Sequence, residues 1–118
     1  MSKAPPYTSM TLKRLRELGE FDLIDICEKF VAFPPPGHRV DLFGILDIVC
    51  LGAGRTVGIQ STSVNQLSKH KKKLTESPNT RLVLAAGWEV WIYAWHKPAR
   101  RWELRTLQFQ LPKESLDG

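Results

Sequence analysis

The sequence has no apolar run long enough to cross a bilayer. Its longest apolar stretch, LFGILDIVCL, covers residues 42–51 and contains an aspartate, whereas a membrane-spanning helix needs about 20 apolar residues. The first residues, MSKAPPYTSM, lack the apolar core of a secretory signal peptide. We therefore expect a cytoplasmic protein without a membrane partner.

Cysteine is also scarce. Cys27 and Cys50 do not have metal-ligand spacing, which argues against a cysteine-based zinc site. Both lie in apolar runs, as buried free thiols do.

Acidic residues are the minority among the charged side chains. The chain has 17 Lys and Arg against 12 Asp and Glu, a net charge of +5. A basic surface favours a polyanionic partner such as DNA. The basic residues fall in three clusters: Lys13, Arg14 and Arg16; Lys69, His70, Lys71, Lys72 and Lys73; and Lys97, Arg100, Arg101 and Arg105.

The hydrophobic pattern predicts one domain over residues 11–111, between a flexible arm at 1–10 and a flexible tail at 112–118. Helices and strands alternate in it, which indicates an α/β protein with helices on the faces of a mixed sheet. The expected elements are a helix from Thr11 to Leu18, strands Phe21–Phe30, Leu42–Leu51 and Thr56–Thr62, a helix from Val64 to Thr75 capped by Ser63, a short helix Arg81–Ala86, and strands Trp88–His96 and Trp102–Phe109.

Asp47 is the only charge in the apolar segment 42–51. A carboxylate inside a buried strand is costly unless it is paired, protonated or bound to a metal. One interpretation is a structural aspartate held by backbone donors or by Arg39. The other is a functional carboxylate.

The turn Gly52-Ala53-Gly54 predicts a tight hairpin that brings Gln60 within ligand distance of Asp47. An oxygen-rich pocket of this kind suits Mg²⁺ or Mn²⁺. Asp41 and Glu28 are further candidate carboxylates, Glu28 because it would share a strand face with Ile24 and Ile26. For both, a solvated position is the alternative.

These residues resemble the core of the PD-(D/E)XK nuclease superfamily, in particular small phage and mobile-element proteins similar to Holliday-junction resolvases. The resemblance covers roughly residues 11–105. It is carried by several short motifs: Leu15-Arg16-Glu17, Glu28-Lys29-Phe30, the block RVDLFGILD from Arg39 to Asp47, Gln60 to Ser63, Lys73-Leu74, and Gly87-Trp88.

The resemblance implies a restriction-endonuclease-like αβββαβ core with an extra C-terminal strand. It implies that Asp47 and Gln60 flank a metal ion, with Asp41 or Glu28 assisting. Thr62 stands where that family has a catalytic lysine. Some members carry this lysine on the following helix, where Lys73 fits the role; the alternative is that Lys73 only contacts phosphates.

The function expected from the resemblance is a metal-dependent DNA endonuclease, acting on branched or otherwise structured DNA. The alternative is a catalytically degenerate nuclease fold that binds nucleic acid or a protein partner. Small nucleases of this kind often form homodimers. Contacts to nucleic acid are assigned to Arg39, Thr62, Ser63, Lys69, His70 and Lys72.

Overall fold

A mixed five-stranded sheet forms the centre of the protein, and the computed structural model describes residues 6–111 of the chain. The sheet has the strand order β1-β4-β5-β6-β7, and a separate two-stranded ribbon pairs β2 with β3. The α/β class expected from the sequence is confirmed. The strands are β1 (Leu23–Ile26), β2 (Lys29–Val31), β3 (His38–Val40), β4 (Ile48–Gly52), β5 (Arg55–Ser63), β6 (Glu89–His96) and β7 (Glu103–Phe109).

The hairpin between β4 and β5 sets the register of the sheet. Ala53 and Gly54 both have positive φ, 54° and 73°, the backbone of a tight two-residue hairpin turn. Ile48 pairs with Ile59 and Gly52 with Arg55 across the two antiparallel strands. The turn predicted at Gly52-Ala53-Gly54 is therefore confirmed.

A helical crossover joins β5 to its parallel neighbour β6. It contains a 3₁₀ turn (Val64–Gln66), helix α2 (Leu67–Glu76) and helix α3 (Pro78–Ala85). Two sequence expectations are corrected here: Ser63 as a helix cap, and Arg81 as the start of the short helix. Ser63 makes no side-chain capping hydrogen bond, and Pro78 opens α3, because Ser77 Oγ caps that helix by accepting a hydrogen bond from Asn79 N.

Helix α1 (Pro6–Leu18) covers the opposite face of the sheet. The expected start at Thr11 is wrong, since a proline is favourable in the first turn of a helix and Thr8 and Thr11 are buried in its interior. Residues 6–10 are therefore helix instead of a flexible arm. Residues 1–5 and the predicted tail 112–118 lie outside the described residues.

Two apolar cores lie on the two faces of the sheet. Under α1, Leu12 and Leu15 pack on Ile48, Cys50, Val57 and Ile59. On the other face, Leu74 and Val83 of the crossover helices pack with Ile45, Leu46, Val90, Ile92 and Phe109. The alternation of side chains along β5 accordingly turns Ile59 toward α1 and Gln60 toward α2.

Two predicted strands are shorter than expected. The segment 21–30 divides, because Cys27 N still donates to Asp47 O in the main sheet while Lys29 already pairs with Val40 in the ribbon. Leu42–Leu51 is a strand only from Ile48, since a turn containing Phe43 (φ 57°) and Gly44 (φ 76°) precedes it. Within residues 6–111, no helix has the length and apolar character needed to cross a membrane.

Candidate metal centre

Three carboxylates meet where β4 begins, on the side of the main sheet that α2 covers. Glu28, Asp41 and Asp47 each offer an oxygen, and these oxygens lie within 4.8 Å of one another. Asp47 is 4% exposed, and the side chain of Glu28 is also 4% exposed. Such a group of hard oxygen atoms is the donor set that Mg²⁺, Mn²⁺ and Ca²⁺ prefer.

The turn before β4 brings Asp41 next to Asp47. Gly44 N donates to Asp41 O at 2.9 Å, and Leu42 and Leu46 form an isolated β-bridge across the turn. A positive φ at Phe43 is uncommon for a bulky residue, and Asn79 of α3 holds the turn by donating to Phe43 O at 2.8 Å. The chain thus reverses direction between Asp41 and Asp47, which brings the two carboxylates together.

Gln60 follows Ile59, whose carbonyl oxygen accepts from Asp47 N at 2.8 Å just before β4 begins. Its Nε2 is 3.3 Å from Asp47 Oδ2 and 3.4 Å from Asp41 Oδ2. Ser61 N donates to Asp47 Oδ2 at 2.8 Å. The side chains of Asp47 and Gln60 therefore face one site, although Asp47 lies just before β4 and not within a strand as expected.

Burial and mutual repulsion make the charged form of this cluster costly. Burial is the main cause that raises the pKa of Asp47 to about 8, followed by the hydrogen bond and negative charge of Asp41, against the lowering effect of Ser61 N–H. Burial also raises the pKa of Glu28, partly offset by Arg39. A bound cation would favour the ionised carboxylates.

Two buried oxygens at this site have no hydrogen-bond partner among residues 6–111: Glu28 Oε1 and Gln60 Oε1. Arg39 lies 3.9 Å from Glu28 Oε1, which is too far for a hydrogen bond. A buried polar atom without a partner is rare and calls for an explanation such as an ion. A half-turn of the Gln60 amide about its terminal torsion would present Oε1 to the carboxylates, so the residues fit a divalent cation.

Lys73 is the cation nearest to the carboxylates. Its Nζ lies 3.3 Å from Asp41 Oδ2, and its side chain remains 44% exposed. The side chain extends from α2 to the carboxylate cluster. Its contact is with Asp41, which in turn accepts from Gln60.

The other residues assigned to nucleic acid have different environments. Lys69 and Lys72 are exposed on α2, and Ser63 is half-buried at the end of β5. His70 is half-buried, and burial together with the charge of Lys73 lowers its pKa, so its imidazole is neutral near pH 7. Thr62 is 3% exposed, the least accessible of the residues assigned to nucleic acid, and its role stays a prediction.

Two features of the site were not expected from the sequence. The backbone N–H of Ser61 binds Asp47, a contact that no side-chain pattern reveals. Cys27 lies beside the cluster, donating from Sγ to Leu46 O at 3.4 Å, and burial with the charges of Asp47 and Asp41 raises its pKa to about 12. It is therefore a neutral thiol.

Comparison with known proteins gives no match for this chain: no family model, no curated protein and no solved structure is similar to it.

Proposed function

We propose that the protein is a metal-dependent endonuclease that hydrolyses phosphodiester bonds in DNA, on a core similar to that of the PD-(D/E)XK nucleases. The observation that carries the proposal is the meeting of Glu28, Asp41 and Asp47 within 4.8 Å, with Lys73 Nζ 3.3 Å from one of them. Buried acids and an adjacent cation with access to solvent suit hydrolysis of a phosphate ester.

Mg²⁺ or Mn²⁺ would be held by Asp47, Asp41 and Glu28 with Gln60, and would supply Lewis-acid polarisation and a more acidic bound water. The protein's own contribution is positioning. Ser61 N–H fixes Asp47 Oδ2 at 2.8 Å, so this carboxylate keeps one orientation. The hairpin pairing then keeps Gln60 beside it.

Lys73 supplies positive charge where the substrate phosphate would lie. Its ammonium group is bound on one side by Asp41 and is partly open to solvent on the other. In that position it can stabilise the negative charge that develops on the phosphoryl oxygens in the transition state. This is the role that Thr62, which is uncharged and buried, does not supply.

Binding of DNA is supported by the exposed lysines of α2. Lys69 and Lys72 lie on the same helix as Lys73, one turn or less away, and both are exposed. They suit contacts to phosphates that flank the reacting bond. The basic residues Lys13, Arg14 and Arg16 lie on α1, across the sheet from this site, and are not part of that surface.

A second candidate function is binding without catalysis, by a degenerate nuclease core. Two observations favour it: Gln60 takes the place of an acid, and its Nε2 already donates to both aspartates. A site closed by such hydrogen bonds does not need an ion to satisfy Asp47. The two candidates make different predictions for cleavage.

The test is cleavage of linear and branched DNA by the full chain with Mg²⁺, with Mn²⁺ and with EDTA. Nuclease function predicts metal-dependent cleavage that Asp47→Asn abolishes. Calorimetric titration with Mn²⁺ gives a readout independent of activity, and Asp47→Asn should weaken that binding. The matched control is Asp25→Asn on β1, an exposed aspartate that, among residues 6–111, accepts a hydrogen bond only from the adjacent Ile26 N; this change should leave both cleavage and Mn²⁺ binding unchanged.

Retained cleavage in Asp47→Asn would show that the activity comes from elsewhere, including a contaminating nuclease. Metal binding without cleavage on any substrate would favour the degenerate fold. Loss of both in Asp25→Asn would contradict the placement of the site.

A further inference from the structure

The β2–β3 ribbon is joined directly to the carboxylate cluster at both of its ends. Glu28 precedes Lys29, the first residue of β2, and Asp41 follows Val40, the last residue of β3. The ribbon is not part of the main sheet. Whatever molecule binds at the carboxylates therefore lies next to the base of this ribbon.

Two of the four exposed aromatic side chains among residues 6–111 lie on the ribbon, and the other two are Phe43 and Trp102. Phe33, in the loop between its strands, is 79% exposed, and Phe30 is 42% exposed. Of the large hydrophobic residues exposed in the described chain, Phe33 has the highest exposure. Exposure of a phenylalanine ring to this extent costs apolar burial and suits a site that stacks on a flat ligand.

The backbone of the loop limits the motion of these rings. Three prolines follow Phe33, and their ring-fixed φ angles restrict the loop. Gly37 has φ +92°, and a side chain there would collide with the ring of Phe30. The ring of Phe30 is thus packed on the backbone of Gly37.

The charge of the ribbon fits a polyanion. Residues 29–40 contain Lys29 and Arg39 and no acidic residue. Lys29 is exposed, and Arg39 lies opposite Phe30 in the ribbon register. An aromatic ring beside cationic side chains is the surface that binds unpaired nucleotides, because bases stack on the rings and phosphates pair with the cations.

We infer that the β2–β3 ribbon binds unpaired bases by stacking on Phe33, so that the substrate is DNA with single-stranded or distorted regions near the cleaved bond. The inference rests on the proposed nuclease function and specifies its substrate. The Cα atoms of Phe33 and Glu28 are five residues apart and so at most about 18 Å from each other. That is the length of about five nucleotide steps of one strand at 3.4 Å each.

The ring at the tip therefore contacts bases within a few nucleotides of the bond at the carboxylates. A continuous duplex offers it no exposed base face. Flaps, junctions, bubbles and single strands all offer one. Phe30, closer to the base of the ribbon, offers a second ring to the same DNA strand.

The experiment measures binding of fluorescent oligonucleotides of about 20 nucleotides, which exceeds the site size of a small single-strand binding module. A single strand and a flap are compared with a continuous duplex of the same sequence. Anisotropy titrations use the full chain in the Asp47→Asn background, so that the DNA stays intact. Phe33 is changed to Ala, Leu or Trp.

Phe33→Ala should weaken binding of the single strand and the flap by about 5-fold to about 150-fold, the range for one stacked base. Duplex binding should change by less than about twofold, since backbone contacts dominate there. Phe33→Trp should retain the preference. Phe33→Leu should lose it, because an aliphatic side chain has no ring to stack. Leu82→Ala, an equally conspicuous exposed apolar residue on α3, is the control and should have no effect.

Equal weakening of duplex and single strand, or no weakening of either, would overturn the inference. So would a loss in Phe33→Ala that appears only in self-association by sedimentation, which would make the ribbon a protein interface. If the native protein and Phe33→Ala cleave the same substrates equally well, the stacking inference is refuted and the nuclease proposal is not. If the protein binds unpaired DNA through Phe33 and never cleaves it, the nuclease proposal is refuted and the stacking inference is not.

Discussion

Neutralising Asp47 should stabilise the metal-free protein at alkaline pH. Asp47→Asn keeps the size of the side chain and an oxygen acceptor for Ser61 N–H, and it removes the charge that burial and Asp41 oppose. The variant therefore separates the electrostatic cost of the cluster from its packing. In an ordinary buried site the same substitution would be destabilising.

The size of the effect follows from the pKa of Asp47. A rise from 3.8 to about 8 corresponds to about 6 kcal/mol at about 1.36 kcal/mol per pH unit. This value is an upper limit for the gain in stability, because the two aspartates share the electrostatic cost and their side chains can move apart. We expect the variant to gain about 2–4 kcal/mol over the native protein near pH 9 without metal, a large part of the total stability of a small domain.

The sign is set by which state holds the proton more tightly. Between about pH 4 and about pH 8 the folded state keeps the Asp47 proton and the unfolded state has lost it, so stability falls as pH rises through this window. Below about pH 4 both states are protonated and the contribution is fully present. Asp47→Asn should lack this part of the pH dependence.

Urea denaturation of both proteins in EDTA from about pH 5 to about pH 9 measures the difference. Mn²⁺ should then stabilise the native protein, by about 2.7 kcal/mol at a concentration about a hundredfold above its dissociation constant, and stabilise the variant much less. Parallel pH profiles for the two proteins would refute the argument that Asp47 is a strained carboxylate. Equal stabilisation by Mn²⁺ would refute its role as a ligand.

Three further predictions concern α2, the DNA contact and the sheet. Lys73→Ala should lower the single-turnover cleavage rate by roughly 10²-fold or more with little change in DNA affinity, because its charge acts on the transition state. Lys69→Ala and Lys72→Ala should do the reverse; if all three behave alike, Lys73 only holds phosphate. DNA affinity should fall with added salt, with a slope of roughly 0.9 in log K against log salt for each phosphate contact, and an affinity that is nearly constant from about 50 to about 200 mM salt would point to a protein partner. Gly58→Ala should destabilise the protein by about 1–3 kcal/mol in denaturant titrations, because its Cβ would lie 2.5 Å from Cδ1 of the fully buried Leu46; an unchanged midpoint would show that this core side yields easily.

Local rules in the sequence were sufficient for the hairpin at the centre of the site. The two glycines around Ala53 predicted a two-residue turn, and the register of that hairpin brings Gln60 close to Asp47, the residue that precedes β4. Strands β6 and β7 were likewise evident from their β-branched and aromatic residues. These features depend on contacts between near neighbours in the chain, which composition and spacing record directly.

The carboxylate cluster as a whole required the tertiary structure. Glu28 was expected to face inward from a long strand, yet it lies where the chain leaves the main sheet for the ribbon. Asp41 joins it because an unusual backbone conformation at Phe43 folds the preceding turn against β4, and a hydrogen bond from α3 holds that turn. Neither the position of Glu28 nor that of Asp41 follows from a repeating pattern in the sequence.

The helix boundaries show the same division. The apolar spacing of Leu12 and Leu15 predicted α1, but not its first turn, where Pro6 begins the helix and Thr8 is buried. Thr11 was expected to begin the helix, whereas it lies in the helix interior and its hydroxyl accepts hydrogen bonds from Trp95 Nε1 and Ser61 Oγ. Apolar periodicity in the sequence was enough to predict helices α1 and α2 and strands β5, β6 and β7, because their patterns depend on near neighbours in the chain. The ribbon, the turn before β4 and the meeting of the polar groups depend on the tertiary structure, because a threonine or a carboxylate is satisfied by partners far away in the chain.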